Sequence, residues 1–82
     1  MKPEQAFGAA LRQLRMGRGL SQEQLGFESG YHRTYISQLE RGQKSPSLTT
    51  LFQLARALKV RPSAIVGKVE SAVTNGLRKN KN

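Results

Sequence analysis

The sequence lacks cysteine, aspartate and tryptophan altogether, and it contains a single histidine. Without cysteine, no disulfide supplements the small core that 82 residues can bury, so we expect helix packing or a partner subunit to supply the stability. One histidine and five glutamates leave little material for a metal site or a catalytic triad, so the sequence predicts neither an enzyme nor a bound metal or other cofactor. Its apolar runs are too short for a membrane span or a signal peptide, which favours a cytoplasmic protein with no membrane partner.

Negative charge is scarce: five acidic residues stand against fourteen Lys and Arg, for a net charge of +9. The excess is uneven, because residues 21–47 contain equal numbers of acidic and basic residues, whereas the segments on either side of them are basic. Such a balance attracts polyanions such as nucleic acid without selecting a sequence, although a cationic surface also serves solubility. Charge alone therefore leaves the partner open, and the neutral segment has to be interpreted from its pattern of residues.

Apolar residues recur three and four positions apart along the chain, and no stretch alternates as a half-buried strand does. Capping residues, proline and glycine divide this pattern into five helices, which predicts a compact all-α domain over residues 1–70. After Ser71 the apolar pattern thins, and residues 71–82 are predicted to form a basic, disordered tail. The first, third and fifth helices are predicted to begin at Pro3, His32 and Pro62. Pro46 and Ser47 are predicted to start the fourth helix, and Ser21 is predicted to cap the second. The inward face of the fourth helix is predicted to be Leu48, Leu51, Leu54, Ala55 and Leu58.

The most informative stretch is the neutral segment from Ser21 to Gly42, with the sequence SQEQLGFESGYHRTYISQLERG. Its pattern predicts two short helices joined by a turn at Gly30, because glycine adopts positive φ without steric cost. Gly26 lies inside the first of these helices, where glycine is disfavoured, so we expect close approach by the next helix there. The residues expected to pack inward are Leu25, Ile36 and Leu39.

That packing leaves a strip of polar side chains on the outer face of the third helix, formed by His32, Arg33, Thr34, Ser37 and Gln38. Arginine can form a bidentate contact with guanine, glutamine can form one with adenine, and threonine offers a hydroxyl and a methyl group for thymine. The strip is therefore suited to contacting bases in the DNA major groove. A solvated polar face, which most surface helices carry, is the competing interpretation.

Residues 7–67 resemble the phage repressor and Cro-type (Xre-like) helix-turn-helix family in several segments that occur in the same order and spacing. The matching segments are LRQLR, GLSQEQLG, RTYISQLERG, PSLTTLFQLARAL and VRPSAIV. The resemblance implies a compact five-helix lambda-repressor-like DNA-binding domain, with its helix-turn-helix at residues 21–41. Within the family, the chain is similar both to controller proteins of restriction–modification systems and to stand-alone Xre-like regulators, and the sequence does not separate the two.

The resemblance also implies roles for individual residues. Gln22 corresponds to a position that clamps a DNA phosphate at a helix N-terminus. Arg15 and Glu40 correspond to a largely buried ion pair between the first and third helices. Base contacts are implied for Arg33, Thr34 and Gln38, with His32 and Ser37 beside them. Phosphate contacts are implied for Arg41, Gln43 and Lys44. Two residues depart from the family pattern: Gly26 stands where alanine is usual, and Ser29 stands where an apolar residue is usual.

The function implied by the resemblance is that of a transcriptional regulator of bacterial or phage origin, which binds double-stranded DNA. We expect it to act as a homodimer, and to need no small-molecule ligand because 82 residues leave no room for a ligand pocket beside five helices. One short helix contacts only a few base pairs, so we expect two copies to bind a near-palindromic operator with half-sites about one helical turn apart. The dimer contact is expected from the fourth and fifth helices, unless their apolar residues serve the core of the monomer instead. The candidates are Leu58, Val60, Ile65, Val66 and Val69.

The sequence leaves two other functions open. An antitoxin of a toxin–antitoxin pair can share this fold and bind its own operator, although residues 71–82 offer only Val73 and Leu77 as apolar anchors for a toxin. The amphipathic helix from Glu4 to Arg18 could instead suit a membrane surface or a groove on a partner protein. In the helix-turn-helix interpretation, the core already uses the apolar face of that helix.

Overall fold

A computed structural model describes the backbone of residues 1–81 and the side chains of residues 1–75. The described residues form five helices and no strand, so the predicted all-α, five-helix fold is confirmed. None of the helices formed by these residues has the combination of length and hydropathy that a membrane span requires. The helices are α1 (Pro3–Gly17), α2 (Gln22–Ser29), α3 (Arg33–Glu40), α4 (Leu48–Leu58) and α5 (Pro62–Lys81).

Side-chain hydrogen bonds cap α2, α3 and α4 at their N-termini. At α2, Ser21 Oγ accepts a hydrogen bond from the backbone N–H of Gln24 at 3.0 Å, and Gln24 Oε1 accepts one from the N–H of Ser21 at 2.7 Å. This reciprocal pair satisfies N–H groups that the start of a helix leaves without partners. Ser47 Oγ caps α4 by accepting from a backbone N–H in the same way. At α3, His32 Nδ1 accepts from the N–H of Thr34 at 3.0 Å, so His32 precedes the helix as its cap.

Seven large apolar side chains form the centre of the core, each less than 2% exposed. They come from all five helices, so every helix turns its inward face to one cluster. α1 packs against α3 and α5, and α2 packs against α3 and α4. This shared burial stabilises the helices, because short isolated helices are only marginally stable in water. The seven residues are Leu11, Leu25, Ile36, Leu39, Leu54, Leu58 and Ile65.

The predicted inward face of α4 is wrong at one position. Leu48, the first residue of α4, is 73% exposed, whereas Leu54, Ala55 and Leu58 are buried. Successive residues of a helix are rotated by about 100°, so Leu48 shares a stripe with Phe52, one turn further on. That stripe is displaced by roughly 120° around the helix from the one that carries Leu54 and Leu58. The α4 surface therefore presents apolar side chains to solvent as well as to the core.

α5 differs from its predicted extent. The helix continues through residues 71–75 and its assigned end is Lys81, whereas the sequence predicts a disordered tail from residue 71. The apolar period extends into this stretch, since Ala72 and Val73 follow Val69 at three and four residues and are half-buried. The prediction of disorder is therefore wrong for residues 71–75. The rest of the predicted tail, residues 76–82, lies outside the residues whose side chains the structure describes.

Candidate nucleic-acid interface

The turn between α2 and α3 depends on two glycines. Gly30 ends α2 with a φ of 84°, and the N–H of Tyr31 donates to the carbonyl of Gly26 at 2.8 Å. This left-handed conformation favours glycine, because a Cβ would clash with the following carbonyl. A Cβ at Gly26 would lie 2.4 Å from the carbonyl oxygen of Tyr31, so the close approach expected at Gly26 is present. The backbone just before α3 makes this approach, and it holds the start of α3 against α2.

α2 and α3 are attached to the rest of the domain by side chains that the sequence predicts to point inward. Leu25, Ile36 and Leu39 are fully buried. Ser29, which departs from the family pattern, is also buried, and its hydroxyl donates to the carbonyl of Leu25 at 2.7 Å. That hydrogen bond satisfies the polar group that Ser29 places in the core. Serine at position 29, where an apolar residue is usual, is therefore compatible with a well-packed helix-turn-helix.

The outer face of α3 and the start of α2 meet in one shallow concave surface. It is lined by Gln22, Arg33, Thr34, Ser37 and Arg41. Arg33 and Thr34 are exposed in the first turn of α3, and Ser37 is half-buried one turn further on. The structure thus brings three of the predicted base-contacting residues together with two of the predicted phosphate-contacting residues. We call this the concave surface below.

The other predicted DNA contacts lie next to α3 or within it. His32 is exposed and uses Nδ1 to cap α3, which leaves Nε2 as the ring nitrogen available to another partner. Gln38 is half-buried, directly after Ser37 in α3. Gln43 and Lys44 are exposed in the loop between α3 and α4. None of these four predicted contacts is fully buried.

The predicted Arg15–Glu40 ion pair is present between α1 and the last residue of α3. Arg15 Nε donates to Glu40 Oε2 at 2.6 Å and Nη2 donates to Oε1 at 3.0 Å, and the two side chains are 12% and 4% exposed. The hydrogen bond to the Glu40 carboxylate raises the pKa of Arg15 above its ordinary value, because it stabilises the charged guanidinium. Arg15 Nη1 also donates to the carbonyl of Leu20 at 2.8 Å. The pair therefore joins α1, the turn that follows it, and α3.

The same carboxylate also holds Gln22, a contact that the sequence does not indicate. Gln22 Nε2 donates to Glu40 Oε1 at 3.1 Å. Gln22 is the first residue of α2, where backbone N–H groups and the positive end of the helix dipole favour an anion. The two residues belong to different helices and no helical period relates them, so only the fold reveals the contact.

Two of the predicted dimer contacts are wrong because they are buried in the monomer. Leu58 is 1% exposed and Ile65 is 0% exposed, and both belong to the core. Val60 and Val69 are half-buried and pack against the same core. Val66 is 49% exposed and is the one of the five candidates that faces solvent.

Several exposed apolar side chains lie outside the sequence-based expectations, among them Leu48, Phe52 and Phe27. Leu48 is 73% exposed and Phe52 is 55% exposed, and they lie one turn apart on α4. Helix geometry could have identified this pair, since its stripe is displaced from that of Leu54 and Leu58. Phe27 on α2, at 88%, is the most exposed of the large apolar residues described. Apolar surface is therefore present on α4 as well as at Val66 on α5.

Residues 11–65 match the family model described as helix-turn-helix, HTH_3. Over 61 residues the chain is 43% identical to the control protein C.BamHI from Bacillus amyloliquefaciens, across 73% of this chain and 75% of that protein. The structure of the restriction-modification controller protein C.AhdI from Aeromonas hydrophila superposes with a TM-score of 0.74 and 45% identity, across 76% of this chain and 94% of that one. The clp gene regulator ClgR from Corynebacterium glutamicum superposes with a TM-score of 0.89 and 26% identity, across 99% of this chain and 86% of that one. The chain therefore belongs to the helix-turn-helix family of DNA-binding transcription regulators of the phage repressor and Cro (Xre-like) type.

Proposed function

We propose that this chain is a sequence-specific regulator of transcription that binds double-stranded DNA as a homodimer, on a near-palindromic operator. The observation that carries the proposal is the concave surface, in which side chains suited to bases lie beside side chains suited to phosphates. A helix that enters the major groove needs this arrangement, because phosphate contacts set its register and base contacts select the sequence.

The base contacts come from the start and outer face of α3. Arg33 presents a planar fork of N–H donors that matches the two acceptors of guanine, and Gln38 has the donor and acceptor that adenine requires. Thr34 offers both a hydroxyl and a methyl group. His32 and Ser37 stand beside these three residues. The phosphate contacts are Gln22, Arg41, Gln43 and Lys44.

Affinity and selectivity come from different parts of the chain. Residues 21–47 have no net charge, whereas the segments before and after them carry the basic excess. Neutralising phosphates releases counterions and strengthens binding to any DNA sequence. The flanking segments, including residues 71–82, therefore add to the affinity that the phosphate contacts of residues 21–47 provide, and the α3 side chains supply selectivity.

The dimer contact lies on the exposed apolar residues Leu48 and Phe52 of α4 and Val66 of α5. Leu48 and Phe52 line one surface depression on α4, and a second copy that covers this pair together with Val66 removes their apolar area from water. Two copies related by a two-fold axis present their α3 helices to successive major grooves. Two copies also bury more surface on DNA than one copy does. The surface buried by one copy of this size is too small to select a single site in a genome.

The relatives favour a role in control of a restriction–modification system. C.BamHI is named a control protein and C.AhdI a restriction-modification controller protein. A stand-alone regulator is the second candidate, favoured by the likeness to ClgR, a clp gene regulator. Either regulator acts where the DNA is, in the bacterial cytoplasm. Genes for a methyltransferase and a restriction enzyme beside the gene for this chain would separate the two candidates.

Selection of bound duplexes from a random DNA pool tests the proposed function. The expected result is enrichment of one near-palindromic site whose half-sites lie about ten base pairs apart. A parallel selection with Arg33→Ala is expected to keep this spacing and to lose preference at one base position in each half-site. A pool in which no sequence is enriched, or an enriched site without two-fold symmetry, contradicts the proposal.

A further inference from the structure

One carboxylate, that of Glu40, holds side chains from two other helices behind the concave surface. Its Oε2 accepts a hydrogen bond from Arg15 Nε at 2.6 Å, and its Oε1 accepts from Arg15 Nη2 at 3.0 Å and from Gln22 Nε2 at 3.1 Å. The Glu40 side chain is only 4% exposed, so water competes weakly for these hydrogen bonds. Gln22 itself lines the concave surface. Gln22 therefore links the buried carboxylate to the surface that faces DNA in the proposed function.

We propose that Glu40 is a positioning residue for DNA binding, which holds the Gln22 amide in the orientation that a phosphate requires. The inference rests on the proposed function. A glutamine amide has a donor end and an acceptor end, and only its N–H groups bind a phosphate. Because a carboxylate only accepts hydrogen bonds, Glu40 selects the nitrogen of the amide and leaves the second N–H of that nitrogen for the DNA. A side chain held in this way loses less conformational entropy when it binds.

Arg15 makes a buried carboxylate compatible with nearby DNA. An unpaired carboxylate behind a phosphate contact repels the phosphate, because the two groups carry like charge at short range. The guanidinium of Arg15 contacts both oxygens of Glu40, so the pair has no net charge. Glu40 can therefore accept the hydrogen bond that orients Gln22 without repelling the DNA phosphate.

The proposal and simple electrostatics predict opposite effects of Glu40→Gln on DNA affinity. The substitution removes a negative charge near the DNA, which by Coulomb attraction alone tightens binding. Positioning predicts that binding weakens by about three- to tenfold, because Arg15 competes for the single carbonyl oxygen that remains and Gln22 is no longer held. Glu23→Gln is the matched control: Glu23 is exposed and adjacent to Gln22, and the substitution removes the same charge. It is expected to bind DNA as tightly as the wild type or more tightly.

A double-mutant cycle separates positioning from a structural effect. Dissociation constants on the selected duplex are measured for the wild type, Gln22→Ala, Glu40→Gln and the double variant. Positioning predicts that Glu40→Gln weakens binding only where Gln22 is present. Equal weakening in both backgrounds, or tighter binding by Glu40→Gln alone, overturns the inference and leaves the proposed function intact. A wild type that prefers no duplex contradicts the proposed function, and the inference with it.

Glu40→Gln also weakens the Arg15 pair, so circular dichroism first establishes a temperature at which all four proteins are folded. NMR of the wild-type protein without DNA gives a readout that does not depend on this variant. The Nε2 protons of Gln22 are expected to exchange with solvent more slowly than those of Gln53, which is exposed on α4. Equal exchange rates for these two side chains overturn the inference.

Discussion

At the scale of single residues, Arg33 is the side chain on which base selectivity is expected to depend most. It is exposed at the first position of α3 and lines the concave surface beside Thr34. We expect Arg33→Ala to weaken binding to the selected duplex by about 1–3 kcal/mol, because a bidentate contact with one guanine is lost. Binding to random duplexes should change much less. Dissociation constants on both duplexes check this, and an unchanged ratio between them would show that Arg33 does not contact a base.

Lys44 is expected to act on affinity alone. It is exposed in the loop after α3, and its ammonium is suited to a phosphate, which has the same charge in every sequence. Lys44→Ala should weaken binding to selected and random duplexes alike and lower the slope of log affinity against log salt by about 1. Gln43→Ala is the matched control for the salt dependence. Gln43 is also a proposed phosphate contact, but its side chain is neutral and releases no counterion, so the slope should not change. Loss of preference for the selected duplex in Lys44→Ala would assign the residue to base contact instead.

At the scale of elements, α1 and the end of α3 approach each other closely at Gly8. A Cβ built on Gly8 would lie 2.4 Å from the carbonyl oxygen of Leu39 and 2.6 Å from that of Glu40. Both atoms belong to the backbone and cannot move aside as a flexible side chain does. We therefore expect Gly8→Ala to lower the free energy of unfolding by about 1–3 kcal/mol, as overpacking does in other cores. Urea denaturation measures this difference.

At Gly67 in α5, substitution by alanine is expected to have the opposite effect on stability. Apart from its chain neighbours and the adjacent backbone of α5, no atom of the residues that the structure describes comes within 4 Å of a Cβ built there. Gly67→Ala should raise the free energy of unfolding by about 0.5–1 kcal/mol, because alanine is the better helix former. The two variants thus share one chemical change and differ only in what the new methyl group meets. Stabilisation by both would mean that α1 and α3 are not packed as described.

The elements that could be predicted from sequence are those with a local signal. Ser21 and Gln24 form the expected capping box, because its two hydrogen bonds join residues three apart. The continuation of α5 past residue 71 has only a weak local signal, because Ala72 and Val73 alone extend the apolar period of Val69. The contact of Gln22 with Glu40 has no local signal. Local chemistry therefore predicts the helices and the α3 side chains, while the network behind them depends on the tertiary fold.

At the scale of the whole molecule, the proposed DNA contacts and the proposed dimer contacts lie on different helices. The concave surface joins α2 and α3, whereas Leu48, Phe52 and Val66 lie on α4 and α5. The dimer candidates predicted from sequence mixed core and surface, because a buried leucine such as Leu58 and an exposed valine have the same apolar signal. Burial distinguishes them: removal of the buried Leu58 side chain is expected to lower stability, and removal of the exposed Phe52 side chain is expected to change association. The oligomeric state is therefore testable with the fold kept intact.

Phe52→Ser should convert the proposed dimer to a monomer while leaving the helical content unchanged. Phe52 is 55% exposed, so its removal opens no large cavity in the monomer but deletes apolar area that a second copy would cover. Sedimentation at high micromolar concentration measures the mass. Phe27→Ser is the matched control, since it makes the same chemical change at an 88% exposed position on α2 and should leave the mass unchanged.

The monomeric Phe52→Ser variant should also select a single half-site from random DNA, because each copy keeps its contacts with a half-site but no longer pairs with a second copy. A wild type that is monomeric both at this concentration and on its selected duplex would refute the dimer. Two serine variants that both remain dimeric would place the contact elsewhere.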